Sequence, residues 1–391
     1  MSQSSRRIVV VKRILLIGLG VAAVAAAAIF LPPRIACALF LRDVPAQALI
    51  VSVYDPPSGE RTISVMDYDA QTICPIADGN RILSVFASPD GRQVGYSHVE
   101  GLLAVSHYNG ENFRVVADGL MSSSRPAWGT QAVAFAGFGG DDASFGYGVF
   151  VWDPEFGVQT LIEVDRHPPR ELSTDKSVRN ISWLGDETLA YYVDSASKSE
   201  IFVAPLRRTD SGWQLAEEPR MIEDHVVWSR YETSLSAAHN RLVWINGRDQ
   251  PTLRMLLLEG ETDALEIAAV PSNFAPHAVE WSPSDPDTLA VAGQYFPQGF
   301  AEDVIHNTVY LYSAETGEFE RIYFGEQSNQ IRIDFMSVAW SSDGRHLFFS
   351  DNRRLWRYDV DTQRVTPFEP SDVSTIFYSY TRSLGEFSVL R

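Results

Sequence analysis

A chain of 391 residues with 45% hydrophobic and 21% charged residues has the composition of a globular protein, which excludes wholesale disorder. Its 50 acidic against 32 basic residues give a net charge of −18, a surface that repels phosphate backbones and anionic headgroups; no nucleic-acid partner is expected. The two cysteines, Cys37 and Cys74, form no Cys-x-x-Cys pair and no ligand cluster, and read as buried or inert thiols.

Arg6, Arg7, Lys12 and Arg13 precede an uncharged 18-residue run from Ile14 to Leu31, closed by Pro32-Pro33. Roughly 17–25 such residues span a bilayer, and bases on the leading side hold that end in the cytoplasm. The expected layout is a basic N-terminus (1–13), a transmembrane signal-anchor (14–33), a linker (34–48) and an exported domain (49–391). The competing reading is a cleaved signal peptide, with Ala36-Cys37-Ala38 as the cleavage site. Both readings place the bulk of the chain outside the cytoplasm. Only three lysines accompany 29 arginines, which reads as a compositional habit of the source.

Beyond residue 48 the chain repeats. Val85-Phe86-Ala87-Ser88-Pro89-Asp90-Gly91 is followed by Pro126-Ala127-Trp128-Gly129-Thr130 and Ile181-Ser182-Trp183-Leu184-Gly185-Asp186. Further copies are Ser234 to His239, Val279-Glu280-Trp281-Ser282-Pro283 and Val338-Ala339-Trp340-Ser341-Ser342-Asp343-Gly344, with a degenerate one at Phe377-Tyr378-Ser379-Tyr380. A period of ~40–50 residues holding several short strands predicts a β-propeller. Asp-Gly and Asn-Gly pairs at 90–91, 109–110 and 343–344 supply hairpin turns. The first unit has strands at 49–54, 62–66 and 72–76 but no innermost strand. A strand at 375–380, near the C-terminus, has no following blade. The two incomplete ends predict ring closure and seven blades in an all-β fold, with six or eight as the alternatives.

The segments Phe86–Arg92, Trp281–Pro283 and Trp340–Arg345 resemble the Trp-Ser-Pro-Asp-Gly corner of bacterial TolB-type and related WD-repeat-like propellers. The resemblance covers roughly 49–390 and departs at Leu235–His239, which lacks the Trp, Pro and Gly. It implies a propeller scaffold of the kind used for protein or ligand binding.

With strands lettered A to D from the channel outward, D–A and B–C connections share one face of a propeller. The expected long loops fall there: 119–126, 163–178, 222–233, 271–276 and 325–331 between blades, and 137–148 and 294–307 within blades. Candidate ligand-binding residues are Phe138, Asp141, Asp142, Phe145 and Tyr147 in the first B–C segment. Tyr295, Phe296, Phe300, Asp303 and His306 come from the second, and His225, Trp228 and Arg230 from 222–233. The same residues also suit hairpin tips and solvated loops.

No metal site and no cofactor are predicted: alternating carboxylates, His-Glu-x-x-His, a P-loop and Gly-x-Gly-x-x-Gly after a strand are all absent. Gly-x-Ser-x-Gly is absent too, and the propeller leaves no room for a hydrolase domain. The leading expectation is a non-enzymatic, membrane-anchored propeller presenting its long-loop face to a protein or cell-envelope ligand. The alternative is an extracytoplasmic carbohydrate-active or other hydrolytic enzyme with carboxylates at the channel mouth. The sequence carries no signal for oligomeric state.

Overall fold

The computed structural model describes Cys37, the segment 48–368 apart from connections such as 168–175, 227–234, 258–264 and 331–337, and the strand 388–390. Two compact units divide the chain, Met1–Val44 and Pro45–Arg391. The second is a seven-bladed β-propeller built from seven separate antiparallel sheets.

Blade one holds Ala48–Asp55, Glu60–Asp67 and Ile73–Asp78 as strands B, C and D. Blade two runs Ile82–Ala87, Gln93–His98, Leu103–His107 and Arg114–Ala117 from the channel outward. In blade three a split inner strand, Met121–Ser122 and Ala127–Trp128, precedes Val133–Asp141, Ser144–Asp153 and Gly157–His167. Blade four has Lys176–Trp183, Thr188–Ser195 and Ser199–Thr209, with Gly212–Leu215 and Arg220–Val226 both pairing with the third of these. Blade five is short: Ser236–Ala238, Arg241–Asn246, Thr252–Leu257 and Leu265–Ala269. Blade six is tall: Phe274–Trp281, Thr288–Tyr295, Ile305–Ser313 and Glu318–Ser328. Blade seven comprises Val338–Trp340, His346–Ser350, Leu355–Asp359 and Arg364–Pro367.

Closure comes from Ser388–Leu390, which takes the innermost place of blade one through the pairs Ala48↔Leu390, Leu49↔Val389 and Ile50↔Ser388. The expected closing strand at 375–380 lies outside the described residues. Sealing an edge in this way removes unpaired main-chain groups that would otherwise template aggregation.

The core lies between blades rather than inside one. Each middle strand buries both faces, so consecutive residues serve opposite seams. In blade six Leu289 and Val291 face blade five, whereas Ala290 and Ala292 face blade seven. Six apolar clusters among the described residues each straddle two neighbouring blades, including Leu49 and Met66 of blade one against Phe348 and Phe368 of blade seven.

The repeated tryptophan locks adjacent blades. Trp183 Nε1 donates to Ala127 O at 3.1 Å, and Trp340 Nε1 donates to Glu280 O at the same distance, each reaching the inner strand of the preceding blade. Its Ser and Asp are turn chemistry, as expected. Ser341 Oγ accepts from His346 N at 2.8 Å and donates to Asp343 Oδ1 at 2.7 Å, while Gly344 adopts φ 69°. Burial alone raises the Asp343 pKa, but the Ser341 hydroxyl, the Arg345 N–H and nearby charges outweigh it and hold the carboxyl below its ordinary value.

At the seam between blades five and six Trp281 Nε1 makes no such bond among the described residues, and a polar set does the joining. Ser236 Oγ accepts from Trp281 N at 3.0 Å, His239 Nε2 contacts Ser282 O at 2.8 Å, and Arg241 reaches Pro286 O at 2.6 Å. Arginines serve other seams as well, so their abundance has a structural use. Arg114 of blade two lies over Trp152 of blade three, and Arg208 of blade four over Phe156 of blade three. Arg208 also pairs with the buried Asp153, which accepts from Trp213 Nε1 at 3.0 Å. Both cysteines are disulfide-bonded and none is free, which corrects the expectation of inert thiols; spacing in the sequence carried no sign of it.

Trp281 Nε1 is buried and finds no hydrogen-bond partner among the described residues, unlike Trp340 Nε1. Trp340→Phe should therefore cost about 1–2 kcal/mol more than Trp281→Phe, read from urea denaturation midpoints.

Candidate functional site

The first of the two expanded B–C segments is largely strand. Val133–Asp141 and Ser144–Asp153 pair continuously from Val133↔Trp152 to Asp141↔Ser144, so the first expanded B–C loop is a hairpin whose arms continue past the blade. Gly157–His167 follows them outward, through Phe145↔His167 and Tyr147↔Asp165, and Met121–Ser122 pairs on the inner side. Phe138, Asp141, Phe145 and Tyr147 are thus strand residues of one extension, and Phe138 and Tyr147 are cross-strand partners. His225 belongs to an outer strand of blade four rather than to a loop. Asp142, Trp228, Arg230, Phe300 and Asp303 lie outside the described residues.

Tyr295, Phe296 and His306 do come together, on blade six. Tyr295 ends strand B, His306 lies opposite it on strand C, and Phe296 N bonds to Asn273 O at 2.8 Å. Two residues absent from the sequence-based set complete the group. Phe324 stacks on His306 with ring centroids 4.2 Å apart and meets Tyr295 edge-on at 5.9 Å. The Arg321 guanidinium lies 4.6 Å over the same Phe324 ring. Strand alternation places Arg321 and Phe324 on opposite flanks, but a bulge breaks the register: Arg321 pairs with Tyr310 and Tyr323 with Val309, leaving Ile322 extra. The bulge turns both side chains toward the flank shared with blade five.

Unequal strand lengths leave that flank uncovered. Strands B, C and D have 6, 6 and 5 residues in blade five against 8, 9 and 11 in blade six. Tyr312 OH donates to Ile267 O at 3.1 Å, which fixes the level of the outer strand of blade five; that strand ends two residues later, at Ala269. Phe324, His306 and Tyr295 stand above this ledge by about 7–14 Å at ~3.4 Å per residue. Phe324 is accordingly 44% exposed. His306 Nδ1 contacts Gly325 O at 2.8 Å. A carbonyl only accepts, so Nδ1 carries the proton and Nε2 of the neutral ring is left as an acceptor.

Chemically, the ledge joins aromatic faces, one guanidinium and one imidazole acceptor. Tyr310, below Phe324, has its phenol pKa raised by burial first, opposed by the charge and hydrogen bond of Arg321. Among the described residues no group of three or more His, Cys, Asp or Glu is placed to hold a metal.

Toward the channel, the inner strand of blade six bulges at His277, which lies between Pro276↔Gly293 and Ala278↔Ala292. Gly293 is required there: a Cβ would sit 2.1 Å from Ala275 O and 2.7 Å from Pro276 Cα. His277 is buried beside the equally buried Gln294. Burial drives its pKa down, the Gln294 hydrogen bond opposes this, and the result is pushed down to about 4. Above the unfolded value of 6.5 both states keep the ring neutral. Between 6.5 and about 4 only the unfolded chain takes up the proton, so stability falls with pH across that window. The loss should be about 3 kcal/mol, and His277→Phe should flatten the pH dependence of the urea midpoint between these limits.

No protein-family model and no curated protein matches the chain. Among solved structures, an oligogalacturonate lyase in complex with manganese is similar at 10% identity and a TM-score of 0.53, covering 78% of this chain and 87% of that one. A second oligogalacturonate lyase, from Vibrio parahaemolyticus, gives 9%, 0.51, 78% and 88%. Prolyl oligopeptidase B from Galerina marginata, bound to a 35mer substrate, gives 12% and 0.53; the match covers 87% of this chain but 52% of that one, about half its length. Identities this low show a shared fold: the chain is similar in architecture to propellers found in these enzymes.

Proposed function

We propose that the chain is an extracytoplasmic, carbohydrate-active propeller that engages a saccharide along the blade five–six ledge. The observation that carries this reading is the aromatic group of the exposed Phe324 and the half-buried Tyr295 and His306, with Arg321 beside it. The exposed rim of Phe324 and the rings beside it offer apolar surface to a sugar, while the imidazole acceptor and guanidinium donors suit hydroxyls. The similarity to oligogalacturonate lyases supports it further, because there the propeller accounts for nearly the whole matched chain. The prolyl oligopeptidase match lends less, since this sequence holds no Gly-x-Ser-x-Gly segment.

Export is part of the proposal, with 14–33 as the membrane anchor. The positive residues ahead of Ile14 support it, and so do the oxidised cysteines, because disulfides persist outside reducing compartments. Among the described residues no helix is long and apolar enough to cross a membrane; the segment 14–33 falls outside them. A docking scaffold for a protein or envelope ligand is the second reading, favoured by the blade three extension.

Two measurements test this. Native protein, unreduced, should show no titratable thiol. A panel of envelope and plant-type oligosaccharides should contain a ligand whose affinity falls about tenfold or more in Phe324→Ala and His306→Ala, with new chain ends appearing on incubation. Absence of any saccharide ligand would favour the scaffold.

A further inference from the structure

Resting on the carbohydrate reading, we infer that Arg321 is a carboxylate receptor and that the saccharide at the ledge carries a uronic acid. Three arginines at the seams are neutralised by carboxylates: Arg208 pairs with Asp153 and Glu155, Arg241 with Asp287, and Arg254 with Glu223. Arg321 is exposed, yet in a chain with 50 acidic residues it has no carboxylate partner among the described residues. Its neighbour Glu320 acts on Tyr358 of blade seven, across the opposite flank.

What Arg321 has instead is orientation. It stacks over Phe324 and hydrogen-bonds the Tyr310 side chain, two contacts that fix the guanidinium plane while leaving most of its N–H donors unspent. A held guanidinium fork matches the two oxygens of a carboxylate, which a lysine or a hydroxyl does not. The Phe324 ring lies between the guanidinium and the His306 imidazole, so ring and charge are presented together at one step in the surface. A single guanidinium on a protein of net charge −18 suits one carboxylate set among neutral sugars, and disfavours a dense polyanion.

The test is isothermal titration of the full-length chain with a glucuronate-containing oligosaccharide and with its carboxyl-reduced, neutral counterpart. Sodium acetate serves as the bare-carboxylate control. The acidic sugar should bind at least about tenfold more tightly than the reduced one. Arg321→Gln should erase that difference, weakening the acidic sugar far more than the neutral one, and Arg321→Lys should restore only part of it. Far-UV circular dichroism establishes that the variants are folded. Equal binding of the two sugars, insensitive to Arg321→Gln, overturns the carboxylate assignment and leaves the carbohydrate reading standing. Acetate binding as tightly as the acidic sugar also overturns it. Failure of both sugars to bind removes the carbohydrate reading, and this inference with it.

Discussion

Seven sheets form one disc without a hydrogen-bonded ladder between them, so the molecule depends on whatever sets the height of one blade against the next. Apolar burial supplies most of the adhesion, but it is non-directional and tolerates sliding along the strand axis. The indole bonds from Trp183 to Ala127 O and from Trp340 to Glu280 O have direction, and each ties an inner strand to one carbonyl of its neighbour. At blade five the same task falls to Ser236, His239 and Arg241. A short blade and a tall one are held in register there at one face. Their difference in length must then emerge at the other, where it forms the ledge.

Much of this was legible in the sequence because turns are local. Ser341, Asp343 and Gly344 satisfy one another within a few residues, so their pattern survives translation into structure. Closure was legible in principle, through the missing inner strand of blade one, but not in detail. A three-residue strand at 388–390 has too little periodicity to stand out. The glycine-rich stretch from Gly137 to Gly148 reads as a loop by composition; cross-strand pairing makes it a hairpin.

The ledge shows the sharper limit. Tyr295 and His306 were visible as clustered aromatic and polar residues beside a long connection. Arg321 and Phe324 were not, because a one-residue bulge at Ile322 inverts the parity on which strand reading depends. The covering that is missing above Ala269 belongs to another blade, more than 50 positions earlier in the chain. Fold and site therefore answer to different rules: the propeller follows from repetition, and the candidate site sits where repetition fails.

Closure by Ser388–Leu390 also dictates when the molecule can become whole. The partner of Ala48–Ile50 lies more than 330 residues further along the chain, so blade one keeps an open inner edge until that strand has been made. Pairing between opposite ends of a chain is slow, because the entropy of the entire intervening loop is lost before the contact forms. Blade one therefore completes its sheet late, after the strands of the six blades between its two parts have been made. The strand that completes the disc thus also times its assembly.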